Sequence, residues 1–340
     1  MLRRLTGRRN RLKTFKKIMA SAMMLLLMLP TVTASAQEDT VVLGGMPFGL
    51  TMYTNGVIVV NVDDHNSPAR DAGIRENDIV IRANGEEITS NEQLKEIVED
   101  SGGEDIALSL SRGEKPISLS VTPQKDSDGT YTIGMWVRDS TAGLGTITYF
   151  DESTCSFGAL GHGINDRDTG MLLPLRSGRI VNAEITSVTK AQPGIAGGLN
   201  GYMGSTTIGT ITVNNGYGVY GRYDALPQGR RVTCADDSEI TTGEATIYCT
   251  LDSSGVHGYT VTIERLNMDD DSGQNMTLRV TDEELLRRTG GIVQGMSGSP
   301  IVQNGKLIGA VTHVFVNSPQ TGYGITIGHM RESYRRYGGY

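Results

Sequence analysis

From Tyr131 to the end of the chain, short runs of alternating apolar and polar residues follow one another, with glycines between them. A period of two sets one face of a strand on a core and the other in water. The runs fall at Gly145–Phe150, Ile180–Thr189, Thr207–Val213, Gly218–Tyr223, Glu244–Thr250, His257–Arg265, Met276–Thr281, Leu307–Val316 and Tyr323–Gly328. Many short strands joined by turns predict an all-β barrel or sandwich. Inside this half only Asp282–Arg288 has a clear helical pattern, and a short helical tail is open at His329–Tyr337.

The stretch before it, 47–123, reads as a separate compact unit. Val57–Val62 is a strand by its β-branched content. Asn84-Gly85 is a hairpin signal between two short strands. Ser90 with Gln93 three residues later forms a capping box, and Leu94, Ile97 and Val98 give the following helix its apolar stripe. Ile106–Ser111 and Ile117–Val121 alternate as paired strands. A charged, glycine-containing hinge at 125–130 separates this unit from the strand-rich half, 131–340.

The N-terminus changes the picture. Residues 1–17 carry eight Arg/Lys and no acid, and Ile18–Leu29 is almost unbroken in its apolar character. Pro30 and Ala34-Ser35-Ala36 follow. This is the layout of a secretory signal with a small-residue cleavage site, or of an uncleaved signal anchor, over 1–36. Either way the body is expected outside the cytoplasm. A polar linker is expected over 37–46. The length of 340 residues suits two domains, and 38% hydrophobic residues can build a core. The formal charge of −7 becomes −7 − 8 = −15 once the basic start is set aside, and so acidic a body argues against nucleic acid as a partner. Three cysteines, 155, 234 and 249, leave one odd, and Cys234–Cys249 is a candidate bridge between two strands. No His/Cys cluster suggests a metal, and no cofactor motif is present.

The chemistry gathers at Gly291–Pro300, G-I-V-Q-G-M-S-G-S-P. Ser297 between Gly295 and Gly298 can project its hydroxyl from a tight turn, as a nucleophile requires. A glycine-rich hairpin before a buried strand would read the same way. The serine needs a base. Of five histidines, His65 sits in an acidic surface loop, His257 starts a strand as a half-buried packing residue, and His329 is near the C-terminus. His313 lies on an apolar strand, as a core histidine or a lining of the cleft. His162 is framed by glycines in Gly161-His162-Gly163, which a packing histidine does not need. The third member, which fixes the tautomer, has three candidates. Asp166 and Asp168 follow His162 closely in what is equally an Asx-turn; Asp282, 297 − 282 = 15 residues before the serine, equally suits a helix start with a Thr281/Glu284 capping box.

Two resemblances then bear on these choices. The string Ser67-Pro68-Ala69, Ala72-Gly73-Ile74, Asp78-Ile79, Asn84-Gly85 resembles the PDZ domains attached to bacterial proteases, with Asn77 where glycine is usual. That implies a PDZ domain over 47–123. Its carboxylate-binding loop would be Phe48-Gly49-Leu50, and a peptide C-terminus or internal segment would add to the next strand. The other reading packs Phe48 and Leu50 into the core. The motifs GHGI and GGIVQGMSGSP, then LIGAVTHVFV and TGYGI, resemble the SpoIVB peptidases, sporulation serine proteases with an export signal, a PDZ domain and a peptidase domain in that order. The resemblance implies a chymotrypsin-like β-barrel peptidase with His162, Asp282 and Ser297 as triad, and the N–H groups of Gly295 and Ser297 as oxyanion donors. It further implies secretion into the space between forespore and mother-cell membranes. There the enzyme would cleave itself and a regulatory subunit of a membrane metalloprotease complex, releasing late mother-cell sigma factor processing. The competing classes are a non-catalytic PDZ docking protein at the membrane and an HtrA-like stress protease, which the domain order opposes.

Overall fold

The computed structural model describes residues 39–65 and 67–337. The expected signal or anchor segment, 1–36, lies outside them. Among the described residues no helix is long and apolar enough to cross a membrane. The expected linker is in part a strand. Thr40-Val41-Val42-Leu43 forms β1 (Thr40–Leu43), and its three apolar side chains are buried, because a β-branched run next to open sheet edges pairs rather than dangles.

The chain next enters β2 (Pro47–Val62), which serves two domains. Its second half opens the PDZ-like unit, continued by α1 (Pro68–Asp71), β3 (Ile79–Ala83), β4 (Glu86–Glu87), α2 (Asn91–Asp100), β5 (Ile106–Arg112) and β6 (Lys115–Val121). Asn84 and Gly85 both have positive φ, 49° and 85°, as a tight hairpin turn demands. Ser90 caps α2 by accepting the Gln93 N–H at 3.1 Å, while Gln93 accepts the Thr89 N–H at 2.9 Å. Asn77 takes φ of 69°, the conformation that glycine would otherwise supply. Val57, Val59, Val80, Leu94, Ile106 and Leu108 form the core of this unit.

A ribbon of β7 (Gln124–Lys125) and β8 (Tyr131–Thr132) leads into β9 (Met135–Asp151). There follow β10 (Ser156–Ala159), β11 (Leu175–Thr189), β12 (Gly198–Asn215), β13 (Gly218–Tyr223) and β14 (Arg231–Thr233). Antiparallel pairings run β2–β9–β10–β13–β12–β11 and back to β2, closing a six-stranded barrel. Phe48, Leu50, Met52, Ile147, Phe157 and Ile180 fill it. The first half of β2 is thus a barrel strand, and β9 pairs with β2 from Met135 to Thr146, through the PDZ-like unit and the barrel alike. The expected boundaries at 123 and 131 do not cut the fold cleanly, because both strands cross between units.

The second barrel is closed by β15 (Gly243–Thr250), β16 (Val256–Leu266), β17 (Met276–Val280), β20 (Ser318–Thr326), β19 (Lys306–Phe315) and β18 (Pro300–Gln303), in that order around the ring. Tyr259, Val261 and Ile263 alternate inward from β16, and Met276, Leu278 and Val280 from β17. Helix α3 (Glu283–Thr289) precedes the serine turn, and α4 (Ile327–Tyr337) closes the described chain. The three cysteines are free. Cys249 points into the second barrel's core and Cys234 packs in a different cluster, so the proposed bridge does not form. Burial raises the Cys249 thiol to about 12.

The PDZ-like unit hangs on one buried ion pair. The Asp78 side chain is fully buried and takes two 2.7 Å contacts from Arg112, plus the Arg75 N–H at 2.9 Å. Removing the guanidinium leaves a carboxylate in the core without its counter-charge. Arg112→Ala is expected to cost about 3–5 kcal/mol, read as a lower urea midpoint for this unit.

Candidate active site

The serine sits in the turn between α3 and β18. Asp282 caps α3 at its start, and Gly290 ends it in the left-handed conformation, turning the chain back towards the sheet. Gly295 and Gly298 flank Ser297 with φ of 94° and 93°. At 298 any side chain is excluded, since a Cβ would lie 1.9 Å from Thr146 O and 2.5 Å from Leu160 N. The turn is pressed onto β9 of the other barrel. Thr146 N–H donates to Ser297 O at 3.1 Å, Thr146 Oγ1 to Gly295 O at 2.8 Å, and Thr148 Oγ1 to Gly298 O at 2.8 Å. With these carbonyls held from behind, the N–H groups of Gly295 and Ser297 are left without a hydrogen-bond partner among the described residues.

His162 follows β10 on the first barrel, one residue beyond Gly161, whose absent side chain makes room for Thr312. Its Nδ1–H donates to Gly163 O at 2.8 Å, which leaves Nε2 as the acceptor nitrogen. The ring lies against that of His313, with centroids 4.7 Å apart. Ser297 Oγ donates to Thr312 O at 2.6 Å. The serine hydroxyl and the imidazole therefore contact adjacent residues of β19, Thr312 and His313, and in this conformation the hydroxyl bonds the strand rather than the ring. Burial, the largest cause, pulls the His162 pKa down to about 4; His313 adds to this and the Gly163 carbonyl opposes it.

The structure does not bring Asp282 to this pair. Its Oδ1 accepts the Leu285 N–H at 2.9 Å and its Oδ2 the Thr260 N–H at 3.3 Å. It lines a groove with Asp252, Ser254, His257 and Arg288. A carboxylate at a helix N-terminus is held by free N–H groups and by the helix dipole, and here that use replaces the expected one. The cap is Asp282 itself, one residue after the expected Thr281. Asp166 is an Asx-turn residue: its Oδ1 accepts the N–H groups of Asp168 at 3.0 Å and Thr169 at 2.9 Å. Arg138 clamps Asp166 and Asp168 together.

Phe48, Gly49 and Leu50 require a second correction. They pair with Asn182, Val181 and Ile180 on one side and with Gly145, Leu144 and Gly143 on the other. A strand bonded on both edges inside a barrel has no N–H left for a carboxylate. The open groove of the PDZ-like unit lies elsewhere, between α2 and the start of β9. Leu94 and Val98 line it from the helix, and Tyr131, Ile133, Met135 and Val137 from the strand side. The signal for it was present in Ile133-Gly134-Met135, a glycine-punctuated apolar start like Phe48-Gly49-Leu50. His313, which reads equally as a core histidine or a cleft lining, is exposed with its ring beside that of His162. His257, expected to be half-buried, is exposed with its Nε2 2.8 Å from Ser254 Oγ. Among the described residues no group of three or more His, Cys, Asp or Glu side chains is arranged to hold a metal.

The chain thus places a glycine-framed serine on one closed barrel and a histidine on the other, and the PDZ-like unit shares strands with the barrel that carries the histidine. The chain belongs to the SpoIVB peptidase S55 family, whose model matches residues 129–331, and a PDZ domain model matches 44–122. It is 33% identical over 94 residues to the putative serine protease HhoB of Synechocystis sp., covering 27% of this chain and 22% of that protein. It is 33% identical over 72 residues to the serine protease HTRA1 of Xenopus laevis, covering 21% and 15%. The chain thus matches less than a quarter of the length of either relative. Among solved structures, the active form of the Rv3671c protease of M. tuberculosis is similar over 58% of this chain and 75% of that one, at 14% identity and a TM-score of 0.36. The PDZ domain of the SdrC-like protein of Listeria monocytogenes is similar over 24% and 87%, at 22% identity and a TM-score of 0.23.

With the imidazolium disfavoured by burial, the His162 ring stays neutral well below the ordinary histidine range. The acid limb of kcat/KM is expected below 6.5, towards 4, with activity lost as pH falls through that value. A pH–rate profile on a short peptide checks this.

Proposed function

We propose that Ser297 and His162 are the nucleophile and general base of an exported endopeptidase of sporulation signalling. The observation that supports this best is their contact with the adjacent residues Thr312 and His313 of β19, with the Gly295 and Ser297 N–H groups unpartnered among the described residues. Rotation of the Ser297 side chain away from Thr312 O would offer its proton to Nε2 of His162, whose Nδ1–H the Gly163 carbonyl already holds. The alkoxide attacks the peptide carbonyl, and the N–H groups of Gly295 and Ser297 receive the oxyanion. The imidazolium then returns its proton to the leaving amine, and water repeats the cycle to release the acyl group.

In this reading the substrates are the chain itself and the regulatory subunit of a membrane metalloprotease complex, in the space between forespore and mother-cell membranes. The N-terminus is a cleaved signal or an anchor. The groove between α2 and Met135–Val137 docks an extended peptide segment against the free edge of β9.

Ser297→Ala is expected to abolish self-cleavage, seen as a single full-length band where the parent fragments; equal fragmentation of both overturns the proposal. Val137→Arg, at the groove, is expected to lower kcat/KM for the protein substrate about tenfold, the loss of one apolar anchor, and to leave a short peptide substrate unaffected.

A further inference from the structure

We propose that Asn214 is a positioning residue for His162, acting through the peptide unit that joins Gly163 to Ile164. The inference rests on the assignment of His162 as base and Ser297 as nucleophile.

The geometry is a chain of hydrogen bonds through one rigid plane. Asn214 lies at the end of β12, before the turn into β13. Its Oδ1 accepts the Ile164 N–H at 2.8 Å. Its Nδ2 donates to Ile164 O at 3.0 Å and to Leu173 O at 2.9 Å. The two carbonyls and the one N–H fix which end of the amide is which, since the flipped side chain would set like against like at all three contacts. The Ile164 N–H and the Gly163 C=O belong to the same planar peptide unit. Gly163 O in turn accepts His162 Nδ1–H at 2.8 Å. Asn214 therefore sets the tilt of the plane whose other end holds the ring.

Two consequences follow for the base. An acceptor on the N–H side of a peptide polarises the unit and makes its carbonyl oxygen a better acceptor. And a carbonyl, unlike a hydroxyl, can only accept, so a fixed Gly163 O admits one tautomer, with the proton on Nδ1 and the lone pair on Nε2. If the plane tilts, the ring is free to carry its proton on Nε2, and that form cannot take a proton from serine. The loop beyond is stiffened at Asp166 and by Arg138, and Leu173 N–H also donates to Ile164 O at 3.0 Å, so Asn214 closes a frame that is otherwise rigid.

The test compares the full chain with Asn214→Ala, Asn214→Asp and Ser297→Ala. One readout is the labelling rate by a serine-directed fluorophosphonate; the other is nitrogen NMR of the His162 ring in the folded proteins. Asn214→Ala is expected to slow labelling at least about tenfold, since the base is in the wrong form for part of the time. KM for a short peptide should stay within about twofold, and the His162 signals should move from Nδ1–H to a mixture with Nε2–H. Asn214→Asp keeps an acceptor for the Ile164 N–H, serves if the alanine variant does not fold, and should retain more of the rate. An unchanged labelling rate with His162 still protonated only at Nδ1 in a folded Asn214 variant overturns the proposal. A parent chain that is not labelled at Ser297 overturns the nucleophile assignment instead, and the tautomer comparison then still decides what Asn214 does.

Discussion

The serine turn depends on a strand it does not belong to. Three carbonyls of that turn, those of Gly295, Ser297 and Gly298, are held by Thr146 and Thr148 of β9 in the opposite barrel. Each bond contributes only about 1 kcal/mol net. Their combined effect is directional: with the carbonyls turned towards β9, the N–H groups of Gly295 and Ser297 are not used up within the turn. Gly298 allows this, because a Cβ there would stand between the two barrels. The junction of the barrels and the electrostatics of the serine turn are therefore one feature.

The same strand carries the structure outward. β9 runs from Met135, beside α2, to Thr148 behind the serine. Along it, Asp139 accepts the Asn91 N–H at the start of α2, and Arg138 clamps the turn that follows His162. From Met135 to Thr146 is eleven steps, roughly 36 Å of extended chain. β2 is shared in the same way, passing from barrel to PDZ-like unit at a register shift between Tyr53 and Ile58, where the Thr54 hydroxyl lies 2.7 Å from Gly56 O and 3.0 Å from Asp139 O. Two continuous strands join the units in place of a flexible linker.

Local signals were legible in the sequence where the physics is local. The Asn84-Gly85 turn, the Ser90 cap, the alternation in β16 and β17, and the glycine-framed His162 and Ser297 all act within a few residues of themselves. What stayed hidden is set by partners far along the chain. Phe48-Gly49-Leu50 reads as the start of a PDZ strand, and nothing within those residues says that β11 and β9 will take both its edges. Asp282 offers a carboxylate equally good for an imidazole or a helix N-terminus, and only the placement of α3 decides. Thr146 and Thr148 look like ordinary strand threonines until the second barrel arrives 150 residues later.

The resting bond from Ser297 to Thr312 sits within this frame. A neutral hydroxyl–carbonyl bond is worth about 0.5–1.5 kcal/mol net, no more than a hydroxyl–imidazole bond offers. The hydroxyl's choice between strand and ring is therefore a rotation about one side-chain torsion, not a rearrangement of the fold. The imidazole is set in the same frame: burial opposes its protonation, and the Gly163 carbonyl accepts its Nδ1–H.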